Sequence, residues 1–315
     1  MGINKLLSII NYSLENLSAF ENKTVGIDIN NIAVARWLPA YKKLRRNIKK
    51  VVLHSEVVLE WIRSVLSFID TLKNVRQIKL ICVFDGKSSY DKIQHRIKKE
   101  QLMKQRIADR LTKAETDCLI EELVIDDYAR LSLPSSSDFF TLRQILVEKG
   151  YVCYQALGES DRLLASLSLV KNHKHRCDAI FSADSDLLAL LCPCLIKCYE
   201  TNRPKNTKFS RDFKNVGFQV YRLKSILKKL GLTSKQFTDV CILLGCDYNQ
   251  SPSITVTDAI HQLKKYKSFE MFPENEKNKL ETINYEQCRE IFTIDNPSEE
   301  IEFAQLLIQK SRKND

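Results

Sequence analysis

The stretch that most constrains this chain is residues 180–191, Ile-Phe-Ser-Ala-Asp-Ser-Asp-Leu-Leu-Ala-Leu-Leu. A short apolar run, 179–181, leads to two carboxylates, Asp184 and Asp186, and a second apolar run follows at once. The pattern predicts a buried strand, a turn bearing the acids, and a helix packed back on the sheet. In open α/β sheets the functional crevice lies beyond the carboxyl ends of the strands. Neighbouring acids at such a place repel each other and lose hydration, a cost that a divalent cation offsets. The plainer alternative is that Asp184 caps the helix and Asp186 sits in its first turn, favoured by the helix dipole.

The same arrangement recurs along the chain. Residues 24–29 read as a strand that delivers Asp28. Residues 78–84 form a continuous apolar run, the pattern of a strand buried on both faces, and end in Phe84-Asp85-Gly86-Lys87. Residues 150–155 read as a strand followed by Gly158-Glu159-Ser160-Asp161, which opens a helix through Leu163, Leu164 and Leu167. Asp247 follows an expected helix over 234–244 whose C-cap is Gly245. Any one of these acids has a dull explanation as a cap or a surface charge. Their repetition does not, because the chain as a whole is basic, with 49 Lys+Arg against 39 Asp+Glu and a net charge of +10. That excess points to a polyanionic partner, nucleic acid first. Oxygen ligands without His or Cys favour Mg²⁺ or Mn²⁺ over Zn²⁺. Two such ions about 4 Å apart activate water and stabilise the leaving oxygen of a phosphodiester.

Other classes are set aside by composition. Only 8 Gly are present and none are spaced Gly-x-Gly, so neither Gly-rich phosphate loop is available. The ten cysteines are scattered, without a Cys-x-x-Cys pair, which suits a reducing, intracellular compartment, nucleus or cytoplasm. Cys192, Cys194 and Cys198 cluster in an apolar run that reads as core rather than as a zinc site. No leader and no run of membrane-spanning length is visible.

Helical spacing is expected over 3–17, 54–73, 220–230, 255–265 and 297–311, with a basic loop or frayed helix over 41–50. Residues 88–113 read as a long charged helix, followed by a more amphipathic one through Leu119, Leu123 and Ile125. Together they look like an insertion standing off the core. Pro134-Ser-Ser-Ser-Asp138 ends it and caps a helix over 139–149.

Six blocks also carry a resemblance. Met1-Gly-Ile, Gly-Ile-Asp28, Val-Phe-Asp85-Gly-Lys, Gly-Glu159-Ser-Asp161, Ser-Ala-Asp184-Ser-Asp186-Leu-Leu and Leu-Leu-Gly-Cys-Asp247-Tyr stand in this order over roughly residues 1–250. In order and approximate spacing they resemble the flap endonuclease / XPG family. The resemblance implies a PIN-like α/β fold: a central, mostly parallel sheet flanked by helices, with a helical arch inserted. It implies a nuclease domain over 1–265, divided into 1–86, the arch at 87–135, and 136–265 with a divergent helix–two-turns–helix, and then a helical extension over 266–315. It implies two-metal hydrolysis of 5′-flap or other branched DNA in replication, repair or recombination, by a monomer. The seven acids Asp28, Asp85, Glu159, Asp161, Asp184, Asp186 and Asp247 then become catalytic metal-site residues for two Mg²⁺, with Mn²⁺ able to substitute. Lys92 matches a phosphate-contacting residue of the arch, and its partner one heptad later is Lys99, where the family usually has Arg. Arg96 shares their helix face. Gly2, Lys98 and the basic run Lys42, Lys43, Arg45 and Arg46 complete the expected nucleic-acid contacts.

This sequence departs from the family pattern at several positions. Asp161 stands where relatives have Glu, a ligand shorter by one methylene. Val34 stands where relatives stack an aromatic ring on a base; Trp37 is nearby but unmatched. After Tyr248 the Gly-rich duplex grip is replaced by Asn-Gln-Ser-Pro-Ser-Ile-Thr-Val-Thr, without Gly. No sliding-clamp motif is found; residues 77–84 mimic part of one inside a core strand. The short chain is similar in this to relatives encoded by large DNA viruses, which would place it in a host cell. Two alternatives stay open. One is an RNA endonuclease of the same fold, of the viral host-shutoff type that cleaves messenger RNA. The other is a nucleic-acid-binding scaffold without catalysis, against which the intact acids speak.

Overall fold

In the computed structural model of this chain the described residues are 3, 6–47, 52–87, 90–111, 127, 129, 131–200, 218–246, 248, 254–278, 280 and 284–311. Strand β2 (Thr24–Asp28) lies inside a sheet, paired in parallel with β3 (Lys79–Phe84) on one side and β5 (Ala179–Phe181) on the other. Outward from β3 comes β4 (Val152–Gln155), and outward from β5 comes β6 (Cys194–Glu200), both parallel. Beyond β6 the direction reverses: β7 (Phe218–Arg222) and the edge strand β1 (Ser13–Glu15) each pair antiparallel with the neighbour before them. The order is therefore β1-β7-β6-β5-β2-β3-β4. This is the mostly parallel α/β sheet that the repeated strand–acid–helix pattern implies.

Both faces of the sheet are covered. On one, α1 (Ile29–Asn47), α2 (His54–Arg76) and α4 (Ser136–Glu148) enclose a core built on Trp37, Trp61, Phe68, Phe181 and Phe218. Trp37 meets Trp61 edge-on at 5.9 Å, and the Trp61 indole donates to the Ala33 carbonyl at 2.7 Å. On the other face, α5 (Ser160–Leu169) and α6 (Asp186–Ala189) bury Leu163, Leu164, Leu187 and Leu188. α7 (Leu223–Leu230), α8 (Ser234–Leu243), α9 (Val256–Tyr266), the short α10 (Glu274–Asn278), α11 (Tyr285–Phe292) and α12 (Pro297–Ser311) follow. Ile301 and Ala304 of α12 join the same core as Leu163. The charged helix α3 (Tyr90–Leu111) lies between β3 and α4 in sequence. Among the described residues no helix is long and apolar enough to cross a membrane.

Local chemistry explains the element ends. Ser135 caps α4 by accepting from the Asp138 amide, while Asp138 answers the Ser135 amide at 2.7 Å. Gly231 and Gly245 close α7 and the turn after α8 at positive φ, 64° and 88°.

Two expectations are corrected. The helical spacing over 3–17 does not make a helix: the chain forms a 3₁₀ turn at Leu6–Ser8 and then β1. Leu6 and Ile10 are buried as expected, but Leu14 is exposed, because β1 takes its backbone partners from β7. The helix expected over 220–230 is preceded by β7, whose Phe218 and Val220 point inward at period two. Of the two alternatives for the basic run at 41–50, the helical one holds as far as Asn47, where α1 ends; 48–50 lie outside the described residues. The amphipathic segment through Leu119, Leu123 and Ile125 lies outside the described residues.

Candidate metal centre

Asp28 ends β2 and is buried. Its Oδ1 accepts from the Asn31 amide at 3.1 Å and from Ser160 Oγ at 3.3 Å, and its Oδ2 accepts from Ser182 Oγ at 2.8 Å. Asp85, just past β3, accepts the Ser160 amide at 2.9 Å, so one serine at the start of α5 bridges two acids from adjacent strands. The Asp85 amide in turn donates to Asn30 Oδ1 at 3.0 Å, and Gln155 from β4 donates to the Asp85 carbonyl. Gly86 allows this junction: a Cβ there would stand 2.1 Å from the Ala156 carbonyl oxygen. Beyond β5, Ser182 accepts from the Asp184 amide and Asp184 Oδ1 accepts from the Asp186 amide at 3.1 Å.

Asp161 lies at the middle of this group. Burial, then the charges of Asp184, Asp28, Asp186 and Asp85, hold its carboxyl well above the usual range. Its Oδ1 is buried and has no hydrogen-bond donor among the described residues. Asp28 is pushed up to about 7 by burial and by Asp85, against the lowering pull of Asn31 and Ser182. Glu159 joins through Tyr248, whose hydroxyl donates to Glu159 Oε2 at 2.8 Å. Burial, Glu159, Asp186 and Asp161 together raise that phenol's pKa. Six of the seven expected acids thus share one electrostatic neighbourhood beyond the carboxyl ends of β2, β3, β4 and β5; Asp247 lies outside the described residues. Among the described residues no three Asp, Glu, His or Cys side chains form a finished ligand cage. Bare carboxylates repel and stay apart without a counter-charge.

A family model, the XPG I-region, matches residues 150–247, the span from β4 to Asp247. Flap endonuclease 1 of Entamoeba histolytica is 30% identical over 233 residues, 72% of this chain and 57% of that protein. The chain carries the XPG I-region of the XPG / flap endonuclease family. Flap endonuclease 1 of Sulfolobus acidocaldarius is 27% identical over 71% of this chain and 65% of its own length. The chain therefore spans less than two thirds of these relatives. In fold it is similar to flap endonuclease-1 from Methanococcus jannaschii, with a TM-score of 0.58 at 17% identity over 94% of this chain and 86% of that one. It is likewise similar to human GEN1 in complex with Holliday junction DNA, with a TM-score of 0.57 at 16% identity over 93% of this chain and 67% of that one. The PIN-like fold expected from the sequence is the one found.

XPG-family nucleases depend on divalent metals, and the residues here fit such a group. The donors are all hard oxygens, and a buried carboxylate oxygen without a donor, set among four other acids, is a position a cation satisfies. Asp28, Asp85, Glu159, Asp161, Asp184 and Asp186 are the residues that would hold it.

The expected nucleic-acid contacts are less fully described. Gly2 lies outside the described residues, as do the side chains of Arg46, Lys92, Arg96 and Lys99, although α3 itself is in place. Lys98 is exposed on α3. On α1, Lys42 is half-buried, Arg45 is exposed, and Lys43 pairs with Glu60 of α2. Val34 is exposed, whereas Trp37 is buried and donates to the Ala129 carbonyl at 2.8 Å, so its ring belongs to the core. Cys192 and Cys194 are core thiols too; burial pushes Cys192 up to about 12, far from a thiolate ligand.

Sequence reading passed over the neutral partners Asn30, Asn31, Ser160 and Ser182, and it passed over Lys197. Lys197, on β6, feels the charge of Asp184, while burial lowers its pKa. Its only signal in the sequence is a lysine inside an apolar strand.

Proposed function

We propose that this chain is a metal-dependent, structure-specific nuclease that hydrolyses phosphodiester bonds of flapped or branched DNA. One observation carries the reading: Asp161, itself half-buried, turns a buried and donorless Oδ1 into the field of four other carboxylates gathered from three separate strand ends. A purely structural site would not concentrate such repulsion. Each residue has a separable task. Ser160 locks Asp28 to Asp85, and the Asn30 and Asn31 side chains fix the turns that carry Asp85 and Asp184. The acids hold two Mg²⁺, or Mn²⁺ in their place, which supply Lewis-acid polarisation and lower the pKa of water. Basic residues on α1 and α3, within a net charge of +10, draw the polyanion toward the acids. The family relatives named flap endonuclease 1 and the DNA complex of human GEN1 favour DNA. The role then falls in replication, repair or recombination.

A second reading, an RNA endonuclease of the same fold, is favoured by one feature. The connection from α8 to α9 has no glycine after Gly245, where duplex-gripping turns need them.

The test places end-labelled flap DNA, plain duplex and single-stranded RNA side by side, with Mg²⁺ or with chelator. We expect flap cleavage with Mg²⁺ only, and its loss in Asp184→Asn and Asp186→Asn with binding kept. Cleavage of RNA alone would select the second reading. Unchanged turnover in either variant would remove the acids from the chemistry.

A further inference from the structure

Resting on the metal-site reading above, we propose that Tyr248 is a positioning residue for Glu159, and that the C-terminal helices hold it in place. The phenol donates to Glu159 Oε2 at 2.8 Å. Glu159 is the N-cap residue of α5, yet its side chain makes no capping hydrogen bond, so its own helix does not orient it. A glutamate has three side-chain torsions, each of which must be fixed to aim its carboxylate. A hydrogen bond from a fixed hydroxyl stops that rotation and sets the plane of the carboxylate.

The hydroxyl is fixed because the ring is fixed. Tyr248 meets Phe292 edge-on, centroids 6.1 Å apart at 78°. Phe292 is buried and is the last residue of α11. The backbone around it is gripped by Arg162, whose Nη1 donates to the carbonyls of Ile291 at 2.6 Å, Thr293 at 3.2 Å and Glu290 at 3.3 Å. The same guanidinium sets Nε and Nη2 each 3.0 Å from Glu300 Oε1 on α12. Arg162 directly follows Asp161 in the chain. The path therefore leaves one candidate ligand and returns beside the next: Glu159, Tyr248, Phe292, Arg162, Asp161. Helices α11 and α12 carry none of the acids, yet they brace the spacing of two of them.

Tyr248→Phe tests this, since it keeps the ring and its contact with Phe292 and removes only the hydroxyl. We expect Mn²⁺ affinity, read by calorimetric titration, to fall about 10-fold or more. The metal-free melting temperature should stay at the wild-type value, and kcat should fall while KM for the nucleic acid stays the same. A variant that binds Mn²⁺ as the wild type does, with unchanged kcat, would overturn the proposal and leave the metal site standing. A fall in melting temperature with unchanged Mn²⁺ affinity would also overturn it, because the hydroxyl would then be merely structural. Wild-type protein that binds no Mn²⁺ would overturn the metal-site reading and this one together.

Discussion

Asp161 keeps a carboxylate oxygen buried with no donor to it among the described residues, inside the field of four other acids. Folding without a counter-charge must either neutralise such a group or tolerate the repulsion. The direction of the pH effect follows. Asp161 and Asp28 are both raised, Asp28 to about 7, so above the ordinary carboxylate range the folded chain holds protons that the unfolded chain releases. Stability of the metal-free protein should therefore fall as pH rises from about 4 to about 7. Added Mg²⁺ should restore it most strongly above that window, which melting curves across pH with and without metal will check. Asp161→Asn removes one charge from the cluster. Its metal-free form should melt ~2 °C or more above the wild type at pH 8. The same variant should lose most of the metal-induced rise. At this scale the acids were legible because their chemistry is costly anywhere else. The residues that aim them were not, since Ser160, Ser182 and Asn31 are ordinary turn residues until the strands bring them beside Asp28 and Asp184.

Elements deliver these side chains only where backbones meet closely. At Gly86 an added Cβ would meet carbonyl oxygens of Ala156 and Leu157 at 2.1 and 2.3 Å, and backbone cannot step aside. At Gly26 it would meet the ends of Ile180 and Leu164 at 2.8 and 3.0 Å, which can turn. Denaturant titration should therefore find Gly86→Ala destabilised by ~3 kcal/mol or more, and Gly26→Ala by less. The strands carrying Asp28 and Asp85 were legible because strands covered on both faces read as unbroken apolar runs. β1 and β7 were not, for a related reason. β1 is three residues at an edge with two of its side chains exposed, so its apolar spacing reflects the 3₁₀ turns around it. β7 runs straight into α7, and the combined stretch mixes two periods. The links that matter to Glu159 and Asp161 were also hidden, because Arg162 reaches residues more than a hundred positions away.

Across the whole molecule the charge is divided: acids gather beyond one end of the sheet, although the chain as a whole carries a net charge of +10. Affinity for nucleic acid should fall steeply and log-linearly with salt between about 50 and 200 mM. Filter binding or anisotropy will read the slope, and a flat line would exclude phosphate contacts as the main source of binding. The sequence disclosed this division as a sum, while its placement needed the topology that brings β2, β3, β4 and β5 side by side.

The opening segment has a practical corollary. The Ile3 amide donates to Ser185 Oγ at 2.9 Å, the residue between Asp184 and Asp186, and Ile3 itself is buried. A purification handle fused upstream would join the chain only two residues before this contact with the acid-bearing turn, so it is expected to hinder entry there. Recombinant protein intended for assay should carry its affinity tag downstream of α12.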